Sequence, residues 1–293
     1  MKIKPLHIVI ISALAAVIAA VLIAFYVRSP VLIVTEESFL NLYSEYRAEQ
    51  EIVKTSFALF RQVKIVKVAN DAGYDIVPVA VMDTSSRPYC VIFPLRFVRS
   101  AKLFSEQNPD ITVIILEGRY QDTEKPTQSV IGDDISGFFI YKTDVNSDFY
   151  KAGTVAAVLD QEKSGSVVVF SDKNMPQARE SFLRGLNDRG NLLETRFFTS
   201  FLQYSEISNL SVIVLAGSGS EIVEKKTGIP IILFTWIDPS LLPLNAALVI
   251  DDSSWVQARD AVKMASKGEK QGFIESKFYI IDRKNLNKRL LRL

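Results

Sequence analysis

Asp148-Phe-Tyr-Lys-Ala-Gly-Thr-Val-Ala-Ala-Val-Leu159, then Ser166-Val-Val-Val-Phe170, then Pro176-Gln-Ala-Arg-Glu-Ser-Phe-Leu-Arg-Gly-Leu186, with Gly190 after it, decide how the rest of the chain is read. Phe149, Ala152, Ala156 and Leu159 fall at helical spacing, which predicts a helix with one apolar stripe that Ser147 or Asp148 caps. Ser166 to Phe170 is β-branched and apolar on both faces, as a strand covered by helices on both sides must be. Pro176 opens a second helix, whose Ala178, Phe182, Leu183 and Leu186 face inward. Gly185 admits a neighbouring backbone, and Gly190 supplies a left-handed stop.

Working outward, strands are expected at Val31 to Thr35, Val63 to Val68, Ile76 to Met82, Tyr89 to Phe93 and Ile111 to Leu116. Phe39, Leu42, Tyr43 and Tyr46 mark one helix, and Phe97, Ala101 and Phe104 another that Asn108 and Pro109 end. The polar run Gly118 to Asp134 reads as a surface crossing between domains. A second series follows, with strands at Phe138 to Lys142, Ser166 to Phe170, Leu193 to Thr199, Val212 to Leu215, Ile229 to Phe234 and Ala247 to Ile250. Trp255, Ala258, Val262 and Ala265 mark a helix that Ser253 or Ser254 caps and Gly268 ends, and Lys277 to Ile281 makes a last strand. Two βα series describe an α/β chain of two doubly wound lobes around a cleft, with the ligand at the C-terminal strand ends. Residues 31–118 plus 252–270 form the expected N-terminal lobe, and 119–251 plus 271–293 the C-terminal lobe.

Composition narrows the function. The 293 residues carry a formal charge of +1, and the body beyond Arg28 is close to neutral, so no nucleic-acid footprint is present. One cysteine, Cys90, and one histidine, His7, exclude an intrachain disulfide, a Cys/His zinc site and a histidine-dependent nucleophile. No cofactor is expected. Leu6 to Val27 holds no formally charged residue and follows Lys2 and Lys4. It is long enough to cross a bilayer as a helix, with residues 1–30 as an anchor or signal segment. Bulky Phe25 and Tyr26 before Arg28 favour an uncleaved anchor over a removed signal, with the body on the extracytoplasmic, periplasmic side.

At the strand-end loops the chain resembles a type I periplasmic substrate-binding protein, and within that superfamily the nucleoside-binding basic membrane protein branch. Glu37-Ser38-Phe39 after the first strand is similar to the family's Ser-Phe signature. Asn108-Pro109-Asp110-Ile111 before Leu116-Glu117-Gly118 resembles its Asn-Pro-Asp-Val and Asp-Gly. Phe149-Tyr150-Lys151-Ala152-Gly153 resembles the helix that opens the second lobe. Ala216-Gly217-Ser218-Gly219 is similar to a small-residue turn, and Asp238 to Ser240 sits where the family has an Asp-containing cleft loop. Ala178-Arg179-Glu180 with Gly185 looks more like the sugar-binding branch. Two departures stand out. Asp251 and Asp252 lie where the nucleoside branch usually has a lysine, and no lipidated cysteine precedes the body.

The resemblance implies a small polar solute held by aromatic stacking and carboxylate hydrogen bonds. Phe39 and Trp236 are the stacking candidates, each equally readable as core packing. Glu117 and Asp238 would accept hydroxyl bonds or simply be solvated strand-end carboxylates. Arg179 would touch ligand or pair at the surface. Asp172 and Asp252 would bind ligand or cap helices. Ser218 lies in a turn that either offers N–H groups to an anion or is only tight. The basic tail from Arg283 to Arg292 is a solvated segment or a headgroup contact. Such a protein would pass its solute to an ABC transporter permease or report it to a membrane sensor. The competing readings are a degenerate scaffold that has lost its ligand and a hydrolase built on Glu117 with Asp238.

Overall fold

The computed structural model describes residues 5–43, 45–119, 131–132, 137–160, 165–171, 175–190, 194–203, 207, 209–217, 221–222, 228–234, 242–282 and 286, with side chains omitted at 5–12 and 41–46. Helix α1 (Pro5–Val27) leads into β1 (Val31–Glu36), α2 (Glu37–Tyr43), α3 (Glu45–Leu59) and β2 (Val63–Val68). Then come α4 (Ile76–Thr84), β3 (Cys90–Pro94), α5 (Val98–Gln107), β4 (Thr112–Leu116) and β5 (Phe138–Thr143). The second half holds α6 (Val145–Leu159), β6 (Ser166–Ser171), α7 (Pro176–Asn187), β7 (Glu194–Phe198), β8 (Leu210–Ala216), β9 (Ile231–Phe234) and β10 (Ala246–Asp251). It closes with α8 (Ser254–Ser266), β11 (Gln271–Ile274) and β12 (Lys277–Ile280).

Two six-stranded sheets result, ordered β11-β5-β4-β3-β1-β2 and β12-β10-β9-β8-β6-β7. Among the described residues every strand pairing is parallel except that of β12 with β10. Parallel strands need crossovers, and described helices cover both faces of the first sheet and one face of the second. In the first sheet Val34, Phe93 and Ile115 pack with Val81 and Phe104 on one face. On the other, Ile33, Ile92 and Ile114 pack with Ala48, Trp255 and Ala258. In the second, Val167, Val169 and Val214 meet Phe149 and Phe182, while Val168, Phe170 and Ile213 meet Ile207 and Ile222.

The opening stretch folds as its pattern predicts, with one shift. The cap of α6 is Asp144, whose side chain accepts from the Ser147 N–H at 3.0 Å, and Asp148 turns inward. Helices α6 and α7 cross at two glycines. A Cβ on Gly153 would stand 2.1 Å from the Phe182 carbonyl oxygen, and one on Gly185 2.1 Å from that of Tyr150. Gly190 takes φ +67°, the predicted left-handed stop.

Other expectations need correction. Ile76 to Met82 is helix, not strand: it buries Val77, Pro78 and Val81 and leaves Ile76 and Val79 exposed. Pro78 fits there because a first-turn residue needs no intrahelical N–H bond. Strand Phe138–Thr143 does not open the second series. It pairs with β4 in the first sheet, so the run from Gly118 to Asp134 returns to the same lobe. The sequence reading missed β11, which pairs with β5 at that sheet's edge. The first lobe therefore carries β5 and β11 besides α8, and the chain passes between the lobes at Thr143–Val145, Asp251–Ser254 and Ile274–Lys277.

Helix α1 is hydrophobic at every position from Ala13 to Val27. Among the residues with described side chains, which in this helix begin at Ala13, no helix is long and apolar enough to cross a membrane.

Candidate functional site

The C-terminal ends of the two sheets meet at Arg119. This residue follows β4 and Gly118, whose φ of +63° makes the turn that carries the chain off the strand. The buried guanidinium reaches from the first sheet to the second. Its Nη2 donates to the carbonyl oxygen of Ile250 at the end of β10 (3.2 Å) and to Asp148 Oδ2 (3.4 Å). Its Nη1 pairs with Asp252 Oδ1 at 3.0 Å, and its carbon lies 4.6 Å from the centre of the Phe234 ring at the end of β9. Strand tips of both lobes thus face one another.

All three interlobe crossings contribute to this network. Thr143, from the first, donates to Asp252 Oδ2 at 3.2 Å and accepts from Gln257 Nε2 at 2.9 Å. Asp252 belongs to the second. Ser276, from the third, donates to Asp148 Oδ2 at 2.6 Å. One cation is shared between two carboxylates, and Asp148 is fully buried. Burial pushes the Asp148 carboxyl up to about 6, with the Asp252 charge adding to the rise, while Arg119 and Ser276 pull it down.

Two further ion pairs line the same strand ends. Glu117 is buried and paired with Lys142 Nζ of β5 at 3.0 Å. Glu36, at the end of β1, is buried and paired with Arg96 just past β3. Phe39 lies in the first turns of α2, half-buried, its ring centre 5.4 Å from that of buried Trp255 and tilted by 47°. The N–H of Ser38 beside it donates to Asn70 Oδ1 at 3.1 Å. Asp251 accepts from the Ser253 N–H at 2.9 Å, so the turn into α8 is held by Asp251 rather than Asp252.

Of the expected site residues, the structure gathers Phe39, Glu117 and Asp252 at the strand-end edge of the first lobe. Arg179 is not brought to the network; it is exposed, with its guanidinium 4.6 Å from the centre of Phe197 on the edge strand β7. Asp172, Ser218, Trp236 and Asp238 lie outside the described residues, as does most of the basic tail. Sequence reasoning missed Arg119, Lys142, Arg96 and the inward turn of Asp148.

Chemically, the described edge offers cations and carboxylates already matched in pairs. A neutral ligand rich in hydroxyls can join such pairs as an added hydrogen-bond partner without separating them, whereas a strongly charged ligand would have to break a pair.

No protein-family model matches this chain, and no curated protein is similar to it in sequence. Solved structures do match, over most of their length. An ABC transporter system solute-binding protein from Conexibacter woesei aligns with a TM-score of 0.57 at 10% identity, covering 89% of this chain and 93% of the other. A transcriptional activator of the comK gene from Bacillus halodurans aligns at 0.56 and 12%, covering 90% and 93%. An ABC transporter periplasmic solute-binding protein from Actinobacillus succinogenes with bound D-allose aligns at 0.52 and 12%, covering 86% and 98%. At such identities the likeness speaks for the fold alone, and the fold is the two-lobed α/β architecture of periplasmic-binding-protein-like chains.

Proposed function

We propose that the chain is a non-catalytic, membrane-tethered binding protein that closes its lobes on a small, neutral, hydroxyl-rich solute of the sugar or nucleoside kind. The observation that carries this reading is the convergence of both sets of C-terminal strand ends on one polar edge, with Glu117, Asp252 and Phe39 placed along it. Closure acts by population shift: a solute touching both lobes favours the closed state only through contacts that the open state lacks. The paired charges favour hydroxyl donors and acceptors over an anion. The bound solute would be handed to an ABC transporter permease or reported to a sensor in the same membrane.

The test is isothermal titration and thermal denaturation of the full chain in detergent against panels of sugars, polyols, nucleosides and amino acids. A true ligand at a hundredfold its Kd should add about 2.7 kcal/mol of stability. Glu117→Gln and Asp252→Asn should each weaken that ligand at least tenfold. Absence of heat and of stabilisation across all four panels would overturn the reading and leave a scaffold without a solute.

A further inference from the structure

The edge of the first sheet opposite the candidate cleft is where α1 joins the body. Three chain segments meet there. Ser29 and Pro30 join α1 to β1, Phe60 to Gln62 join α3 to β2, and Tyr89 precedes β3. The Tyr89 N–H donates to the Pro30 carbonyl at 2.7 Å, the Val31 N–H to that of Gln62 at 2.9 Å, and Arg61 Nη1 to that of Ser29 at 3.1 Å. Helix α1 is not hung on a loose tether. The ring centre of Phe25, in its last turn, lies 6.1 Å from that of Phe57 in a stacked arrangement and 5.8 Å from that of Phe60. The Arg28 guanidinium covers Phe60 at 4.8 Å, and that of Arg61 covers Tyr89 at 3.9 Å.

Two features are costly unless something compensates them. Phe60 holds φ +50°, a left-handed conformation that a bulky side chain rarely adopts, and the turn it makes sets its ring against Phe25 and Arg28. Val53 and Phe57, one turn apart on α3, are exposed to 53% and 74%, and Tyr26, whose ring lies 5.5 Å from that of Phe25, to 67%. The stack of Phe57 on Phe25 joins this surface to α1, whose described side chains from Leu14 to Val27 are apolar and mostly exposed. A helix apolar on every side, ending in aromatic rings and an arginine, has the layout of a bilayer span at its interface.

We propose that this edge is a membrane-docking face, on which Val53, Phe57 and Tyr26 enter the interfacial layer of a phospholipid bilayer while Arg28 meets its phosphates. The inference rests on the membrane-tethered reading above and adds an orientation to it. The first lobe lies on the bilayer, its strand tips point away, and the second lobe moves outermost during closure.

The test uses the full chain reconstituted in nanodiscs of phosphatidylcholine and phosphatidylglycerol, with a nitroxide label at one introduced cysteine at a time. Ile18→Cys reports the span and Phe57→Cys the docking face. Leu244→Cys, fully exposed before β10 at the far end of the second lobe, is the control. Buried Cys90 stays unlabelled. The expected ratio of oxygen to nickel-chelate collisions is highest at 18 and severalfold higher at 57 than at 244. Val53→Cys, a residue outside the ring cluster, gives the same value as 57 and guards against loosening of the Phe25 stack. A label at 18 within the bilayer, with 57 and 53 both as aqueous as 244, overturns docking and leaves the tether intact. A label at 18 as aqueous as 244 overturns both.

Discussion

Replacing Arg119 with methionine keeps much of the side-chain volume and removes a charge that Asp148 and Asp252 share. Breaking a buried pair by deleting one partner typically costs about 3–5 kcal/mol, because the other charge stays buried without compensation. The pH at which this is measured matters. Asp148 has a folded value of about 6 against an ordinary 3.8, a difference worth about 3 kcal/mol. The sign follows from the direction: the folded carboxyl holds its proton more tightly than the unfolded one. Its contribution to stability is therefore fully present below about pH 4 and is lost as the pH rises through 6. Arg119→Met should cost about 3–5 kcal/mol at pH 8 and clearly less near pH 5, where Asp148 carries its proton. Asp148→Asn should flatten the pH dependence, and in the Arg119→Met background it should recover part of the loss at pH 8. Urea denaturation of the detergent-solubilised chain, at half-unit steps from pH 4 to 8, gives all four curves. A cost below about 1 kcal/mol for Arg119→Met at pH 8, or an Asp148→Asn curve parallel to that of the parent, would show that Arg119 does not hold the crossings together.

The contact between α6 and α7 gives a second expectation. Gly185→Ala places a methyl carbon against the Tyr150 carbonyl, a backbone atom that cannot swing aside, so the helices must separate and stability should fall by about 3 kcal/mol or more in the same assay. Substitution of Gly190, where a Cβ would meet nothing, should cost only about 1 kcal/mol, from its left-handed backbone. Burial pushes the Cys90 thiol up to about 12, so iodoacetamide at pH 8 should leave it unmodified in the folded chain and alkylate it promptly in 8 M urea, as read by intact mass.

Much of the second lobe was legible because its strands are β-branched and apolar on both faces, which few other environments accept; Val167 to Phe170 is the clearest case. Helix α4 was misread for the same reason. Ile76-Val77-Pro78-Val79-Ala80-Val81 has strand composition, and the overlooked signal was Pro78, which a central strand does not tolerate. Helix α3 was hard to see by apolar periodicity because polar Glu51, Thr55 and Ser56 are buried on its inward face beside Ala48, Ile52 and Leu59. Strand β11, Gln271-Gly272-Phe273-Ile274, is too short and polar to announce itself, and only its pairing with β5 makes it a strand. At the site, Glu117 and Asp252 could be found as carboxylates after buried strands. Arg119 could not, since it opens a polar run that reads as surface. One clue was available. Asp148 lies one turn before Ala152 on the apolar stripe of α6, and a carboxylate on a buried face calls for a cation from elsewhere in the chain.

Because α8 and β11 are encoded after five of the six strands of the second lobe, the half of the body that is made earlier must wait for pieces made late. Until Trp255 and Ala258 arrive, Ile33, Ile92 and Ile114 have one uncovered side, and β5 remains an open sheet edge. The intervening 145–251 segment, by contrast, carries five of its six strands and both α6 and α7 in one uninterrupted piece. Biogenesis should therefore run inside out, the inserted half condensing early and the flanking half waiting for its closing pieces, and a truncation near residue 250 should harm the earlier half of the polypeptide more than the later one.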